Sequence, residues 1–139
     1  ESDLGVMLRS VKGIKREQRF RKSLTEKTSL AGAIDALYGN NIIDYKITSI
    51  DNAPAGLYEA QLAFYALAVH EMTGADTVNT CIAFLREGRH EHREHSDFEA
   101  IREQVIEAAE ICASGPYTPN IKNCKICPFK KGCGYCEKS

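Results

Sequence analysis

The stretch "GAIDALYGNNIIDYKIT", residues 32–48, contains two apolar runs that are joined by one glycine and two asparagines at residues 39–41. Glycine and asparagine supply the positive φ that a tight hairpin turn requires, so the stretch predicts two adjacent antiparallel strands. Because side chains alternate along a strand, Asp44 and Lys46 share one face of the second strand. The turn then brings Asp35 of the first strand near them, and we expect the three charged groups to converge.

Such a convergence has a chemical consequence. Two neighbouring carboxylates repel each other, which raises a pKa unless a cation lies between them. Mg²⁺ and Mn²⁺ prefer oxygen ligands and keep waters for chemistry, and a nearby lysine can hold a phosphate oxygen or orient an attacking water. The simpler interpretation of the hairpin alone is an Asp–Lys ion pair on a solvated sheet face, because D-x-K occurs often by chance.

The hairpin is flanked by patterns of both strands and helices, which indicates an α/β domain. In the helix that follows it, Gln61 and Tyr65 are four residues apart and so share a face, and Gly74 is the expected stop. Ser96 and Glu99 have the spacing of a capping box at the start of a second helix. The further elements predicted by periodicity are strands at residues 14–24, 76–88 and 89–95 and helices at residues 57–74 and 96–115.

The C-terminal segment lacks hydrophobic periodicity but contains two close CxxC pairs. This crowding favours a metal site in a reducing compartment over a disulfide framework, and zinc would be enclosed by four thiolates. The predicted ligands are Cys124, Cys127, Cys133 and Cys136. Cys81 and Cys112 lie apart from them and are predicted to be small core residues. We therefore expect a core at residues 1–116 and a metal-bound tail at residues 117–139.

Charge is segregated along the chain although the formal net charge is only −1. Residues 9–27 and 122–138 are basic, whereas the stretch between them is acidic. This pattern suits a protein that binds a polyanion with its flanks and cations with its centre, although solvated faces that happen to cluster would look the same. No apolar run approaches the ~20 residues that span a membrane and no signal peptide is evident, so we expect no membrane partner and a cytoplasmic location.

Family resemblance adds to this interpretation. The segments "GAIDALYGNNIIDYKIT" and "YEAQLAFYALA" resemble the PD-(D/E)XK nuclease superfamily, specifically the RecB-like branch found in helicase–nuclease repair proteins and CRISPR-associated nucleases. That branch has G-x-x-D, then a hairpin into D-x-K, then a helix with Q-x-x-x-Y. The matching residues are Gly32 and Asp35, Asp44 and Lys46, and Gln61 and Tyr65. The resemblance implies a restriction-endonuclease-like core, a central mixed β-sheet flanked by helices.

The resemblance also implies roles for individual residues. Asp35, Asp44 and the carbonyl of Tyr45 would ligate Mg²⁺ or Mn²⁺, and Lys46 would orient or help deprotonate water. The remaining candidates would contact DNA or brace the lysine in the case of Gln61 and Tyr65, or match a glutamate of the preceding strand in the case of Glu17. Three tail cysteines match the C-x2-C-x5-C spacing of a [4Fe-4S] cluster found in several relatives, which leaves zinc and iron–sulfur both open.

The function implied by the resemblance is a metal-dependent DNA nuclease of repair or recombination. Exonuclease action is favoured over endonuclease action, on DNA that is single-stranded, with a helicase domain in the same or a partner chain. The RecB-like branch usually has a metal-ligating histidine upstream, yet no histidine precedes His70. The chain is therefore expected to begin inside a longer protein, and the alternative is a non-catalytic nucleic-acid-binding or scaffolding module that retains the fold.

Overall fold

The computed structural model describes residues 12–47, 57–115, 119, 121, 124 and 127–135. The elements are β1 (Lys15–Ser23), β2 (Ser29–Tyr38), β3 (Asn41–Lys46), α1 (Leu57–Thr73), β4 (Val78–Phe84), β5 (Arg89–His95), α2 (Phe98–Ser114) and a 3-10 turn (Lys130–Gly132). The chain divides into two compact units, residues 1–106 and 107–139. Within the described ranges, none of the helices has the length and apolar character needed to cross a bilayer.

The first unit contains one five-stranded sheet in the order β1-β2-β3-β4-β5. The first three strands pair antiparallel, β3 and β4 pair parallel, and β4 and β5 pair antiparallel. A parallel pair requires a long crossover connection, and α1 lies in the connection between β3 and β4. The predicted α/β class with a mixed sheet is confirmed, as is the two-residue hairpin turn, where Gly39 has a φ of +54°.

The core of this unit lies between α1 and one face of the sheet. Buried aliphatic side chains from four elements form it: Leu30, Ile34, Ile42, Leu67, Val69 and Val78. The opposite face carries a smaller cluster that includes Ile43 and Cys81, so the prediction that Cys81 is a small core residue is confirmed. The same prediction for Cys112 is wrong, because packing of α2 on the core involves Phe98, Ile101 and Val105 while Cys112 is exposed.

The ends of the helices follow local rules. Gly74 has a φ of +72° and donates its N–H to the carbonyl of His70 at 2.7 Å, so it ends α1 as predicted. The predicted capping box at Ser96 and Glu99 is wrong by one residue. Asp97 caps α2, and its Oδ1 accepts a hydrogen bond from the N–H of Ala100 at 3.2 Å. Burial of Phe98 at the first helical position places Asp97, rather than Ser96, at the cap.

The pairing of β1 with β2 is interrupted at one position. Paired residues run continuously on both sides of Glu17 and Asp35, which should face each other but do not pair. Glu17 has a φ of +49°, and Ile34 and Leu37 both pack in the α1-facing core although they are three residues apart. The side chains of β2 therefore change face at Asp35, which removes this aspartate from the regular ladder.

Gly32, the first residue of the G-x-x-D pattern, has a packing role. It lies opposite Phe20 on β1, and a Cβ at Gly32 would lie 2.8 Å from Phe20 Cζ. The Phe20 ring thus covers the glycine, and its edge-to-face contact with Tyr65 has a centroid distance of 6.1 Å. A glycine at this position lets an aromatic ring of the sheet reach the face of α1 that carries Tyr65.

Candidate active site

The sheet opens at the C-terminal end of β3. Pairing between β2 and β3 stops at Ala36 and Ile43, whereas β3 stays paired with β4 as far as Lys46. In the gap, Oδ2 of the half-buried Asp35 accepts a hydrogen bond from the backbone N–H of Tyr45 at 2.9 Å. A carboxylate therefore occupies the point where the backbone ladder ends, and it faces the last residues of β3.

Four side chains form a continuous polar network beside this opening. Lys46 Nζ lies 2.7 Å from Asp44 Oδ2 and donates to Gln61 Oε1 at 2.9 Å. Gln61 Nε2 in turn lies 3.3 Å from Asp44 Oδ1 and 3.1 Å from the Tyr65 hydroxyl. One amide thus accepts from the cation and donates to the anion, which fixes both members of the ion pair from α1. The structure brings these predicted residues together with Asp35.

The buried charge at Asp44 is only partly compensated. Asp44 is 2% exposed, and burial raises the pKa of its carboxyl above the usual value, while Lys46 opposes the shift and Asp35 adds to it. Asp44 Oδ2 is shielded from solvent and accepts no well-directed hydrogen bond. Its contact with Lys46 is therefore an ion pair without hydrogen-bond geometry, and the site favours a further positive charge.

These donors fit a hard divalent cation. Asp44 Oδ2 and Asp35 Oδ1 are oxygen ligands, and the carbonyl of Tyr45 lies between them in sequence. In the described part of the chain, no group of three or more His, Cys, Asp or Glu side chains is placed to hold a metal ion. A cation here would rely on two carboxylates, backbone oxygen and water, a ligand set that suits Mg²⁺ because it keeps several of its waters.

Tyr58 is a residue of this site that sequence reasoning missed. Lys46 Nζ lies over the Tyr58 ring at 4.9 Å from its centroid, within the range of a cation–π contact. The ring itself packs edge-on against Phe84 with centroids 6.1 Å apart. The signal was present in α1, because Tyr58 precedes Gln61 by three residues and so lies on the same helix face.

Replacement of Tyr58 tests whether the ring holds the lysine. We expect Tyr58→Phe to keep wild-type DNA cleavage, since phenylalanine retains the ring face, and Tyr58→Leu to lose about threefold to tenfold in kcat, the equivalent of a cation–π contact of ~1 kcal/mol. The measurement is steady-state cleavage with thermal unfolding of both variants alongside. Equal activity of the two variants at equal stability would show that the ring serves packing alone.

Glu17 lies apart from this network. It is exposed on β1 across from Asp35, and its carboxylate forms no ion pair or hydrogen bond with another described residue. Its left-handed backbone is unusual for a non-glycine residue and such conformations cluster at functional sites. A role for Glu17 in catalysis stays a prediction.

The tail cysteines are described only in part. Cys124 is buried, Cys127 and Cys133 are half-buried, and Cys136 lies outside the described residues. The N–H of Cys127 donates to the carbonyl of Cys124 at 3.4 Å, so the first CxxC pair spans one turn. The predicted zinc or iron–sulfur site therefore stays a prediction.

Comparison with known proteins identifies the family. The family model of the PD-(D/E)XK nuclease superfamily matches residues 5–134, so the chain belongs to this superfamily. Its members are generally nucleases and typically use Mg²⁺ or Mn²⁺. No curated protein matches the chain. The crystal structure of SSO0001 is similar in fold, with a TM-score of 0.57 and 17% identity over 94% of this chain and 64% of that chain. The chain thus spans less than two thirds of that protein.

Proposed function

We propose that this chain is a metal-dependent DNA nuclease of the RecB-like branch, which hydrolyses phosphodiester bonds. The observation that carries the proposal is the convergence of two carboxylates, a lysine and a glutamine where β2 and β3 separate. A non-catalytic module is not favoured, because such a module needs no uncompensated buried carboxylate beside a braced lysine.

In this mechanism Asp35 and Asp44 hold Mg²⁺ or Mn²⁺, which when bound polarises the phosphate and lowers the pKa of its water. Lys46 places its ammonium beside the developing negative charge on the phosphate or holds the attacking water. Gln61 keeps that ammonium in position through the 2.9 Å hydrogen bond, and Tyr65 holds the amide of Gln61 in its orientation. Positioning before the reaction lowers the barrier because no solvent needs to reorganise.

We further propose that the substrate is single-stranded DNA, that exonuclease action is preferred, and that the chain works beside a helicase domain in DNA repair. The RecB-like order of motifs supports these proposals, and so does the basic character of β1. A cytoplasmic location is part of the same proposal, since reduced cysteines belong in a reducing compartment.

The experiment is a cleavage assay with purified chain and fluorescent DNA in Mg²⁺, in Mn²⁺ and in excess chelator. We expect metal-dependent cleavage of linear single strands, slower cleavage of duplexes, and protection of circular single strands if an end is required. Cleavage of circles would replace exonuclease by endonuclease action. Absence of cleavage of every substrate with both metals would overturn the proposal of a nuclease.

For the tail, we propose that the C-terminal cysteines hold a structural zinc ion or a [4Fe-4S] cluster. The turn formed by residues 124–127 supports this, because it brings the two cysteines of one CxxC pair within a single turn. Anaerobic purification with elemental analysis tests the proposal. Several irons per chain with a broad visible absorbance indicate a cluster, and one zinc without colour indicates four thiolates. Neither metal in stoichiometric amount would overturn it.

A further inference from the structure

The outer strand β1 carries a row of arginines on the sheet face opposite α1. This arginine row consists of Arg16, Arg19 and Arg21, all of which are exposed. Each of them has an alanine as its cross-strand partner on β2: Ala36, Ala33 and Ala31, respectively. An alanine neither covers a guanidinium nor offers it a hydrogen bond, so the row faces solvent with its charges available.

No acidic side chain neutralises the row. The ion pairs between described residues join Lys46 to Asp44, Arg93 to Glu59 and Arg102 to Glu71, and none of them includes an arginine of the row. Two arginines elsewhere in the unit are therefore paired with glutamates, whereas the three on β1 are not. A line of unpaired, exposed guanidinium groups is a binding surface for phosphates.

Protection of a sheet edge does not account for this charge. Basic residues on an edge strand discourage unwanted pairing with other chains, and both β1 and β5 are edges of this sheet. Yet β1 has five basic residues and one acidic residue in the sequence KREQRFRKS, while β5 has two arginines and two glutamates in RHEHREH. Only one of two equivalent edges is strongly basic, so its charge points to a partner on that side.

The row leads to the candidate active site. Arg16 lies next to the interruption at Glu17 and Asp35, and it acts on Tyr45 in the opening between β2 and β3. Burial raises the pKa of the Tyr45 phenol, Arg16 lowers it and Asp35 raises it, which places both charges near this ring. Along the strand, Arg19 and Arg21 are about 6.7 Å apart, close to the separation of neighbouring phosphates on an extended nucleic-acid strand.

We propose that the arginine row is a phosphate-binding track that guides single-stranded DNA to the site formed by Asp35, Asp44 and Lys46. The proposal rests on the proposed nuclease function and adds the surface that receives the substrate. A single strand fits because a straight row of charges matches one extended backbone. Recognition of phosphates alone is independent of base sequence.

The test compares two double variants in a binding assay without metal, where cleavage cannot occur. Arg19→Gln/Arg21→Gln removes two charges of the row, and Arg86→Gln/Arg89→Gln removes two exposed arginines at and beside the β5 edge. Fluorescence anisotropy with a labelled oligothymidylate is followed from low to physiological salt. We expect the row variant to bind roughly tenfold more weakly and its log–log salt slope to fall by about 1.4, or ~0.7 per lost phosphate contact.

The control variant should keep the affinity and salt slope of the wild-type chain, and thermal unfolding should be the same for all three proteins. Unchanged binding by the row variant would overturn the track, as would a wild-type chain that does not bind the oligonucleotide. Equal loss of affinity for duplex and single strand would overturn the assignment to single strands.

Cleavage kinetics separate this proposal from that of the nuclease. In the row variant we expect a higher KM with unchanged kcat, because the row lies outside the reacting centre. Weakened binding in a protein whose wild type never cleaves DNA would refute the nuclease and leave the track. Normal cleavage with unchanged binding in the row variant would refute the track and leave the nuclease.

Discussion

Replacing Lys46 by alanine is expected to abolish metal-dependent DNA cleavage while the chain stays folded. The ammonium is the only described side-chain cation in contact with Asp44, and its groups of contact are Asp44, Gln61 and the Tyr58 ring. Loss of one preorganised charge stabiliser typically costs about 10²–10³ in kcat. The fold should survive because burial already raises the pKa of Asp44, so a protonated carboxyl can remain there without a cation.

Cleavage at saturating Mn²⁺ and thermal unfolding are the two measurements for this variant. Lys46→Gln serves as a second variant, since it keeps a donor to Gln61 but removes the charge, and it should be equally inactive. Lys27→Ala, in the exposed turn between β1 and β2, is the matched control and should cleave normally. Cleavage by Lys46→Ala at the wild-type rate would remove this lysine from the mechanism.

Much of this fold follows from local patterns in the sequence. The hairpin at residues 38–41 depends on a glycine at a positive φ, and the end of α1 depends on Gly74, so both follow from steric rules that act over a few residues. The alternation of RHEHREH likewise matches β5 residue by residue. The convergence of Asp35, Asp44 and Lys46 also follows from strand alternation together with the turn.

Features that depend on distant contacts were not predictable from local patterns. The change of face at Asp35 arises because Ile34 and Leu37 both pack toward α1, and neither position shows this in the sequence alone. The contact of Tyr58 with Lys46 joins a helix to a strand across the crossover. The start of α2 was misplaced because Ser96 and Asp97 are both good caps, and burial of Phe98 decides between them.

Replacing Asp44 by asparagine is expected to remove divalent-cation binding and cleavage together. The amide is isosteric and can still accept from Gln61 Nε2, so the network keeps its geometry while the site loses its buried negative charge. Titration calorimetry of the wild-type chain should show heat of Mn²⁺ binding. At a hundredfold excess over Kd, Mn²⁺ should stabilise the wild type by about 2.7 kcal/mol, which raises Tm by several degrees. The variant should show neither effect.

The matched control is Asp97→Asn, because asparagine caps a helix as well as aspartate does and Asp97 lies at the start of α2. It should respond to Mn²⁺ like the wild type. Heat of Mn²⁺ binding that persists in Asp44→Asn would place the cation elsewhere in the protein.

The two variants should also differ from each other in a way that identifies the cation site. Lys46 Nζ lies 2.7 Å from Asp44 Oδ2, the same oxygen that a divalent cation needs, so the lysine and the metal compete for it. Removal of the lysine should therefore leave Mn²⁺ binding at least as tight as in the wild type, although cleavage is lost. Removal of the carboxylate should eliminate both. Weaker Mn²⁺ binding by Lys46→Ala would mean that the lysine organises the cation ligands rather than competing with the metal.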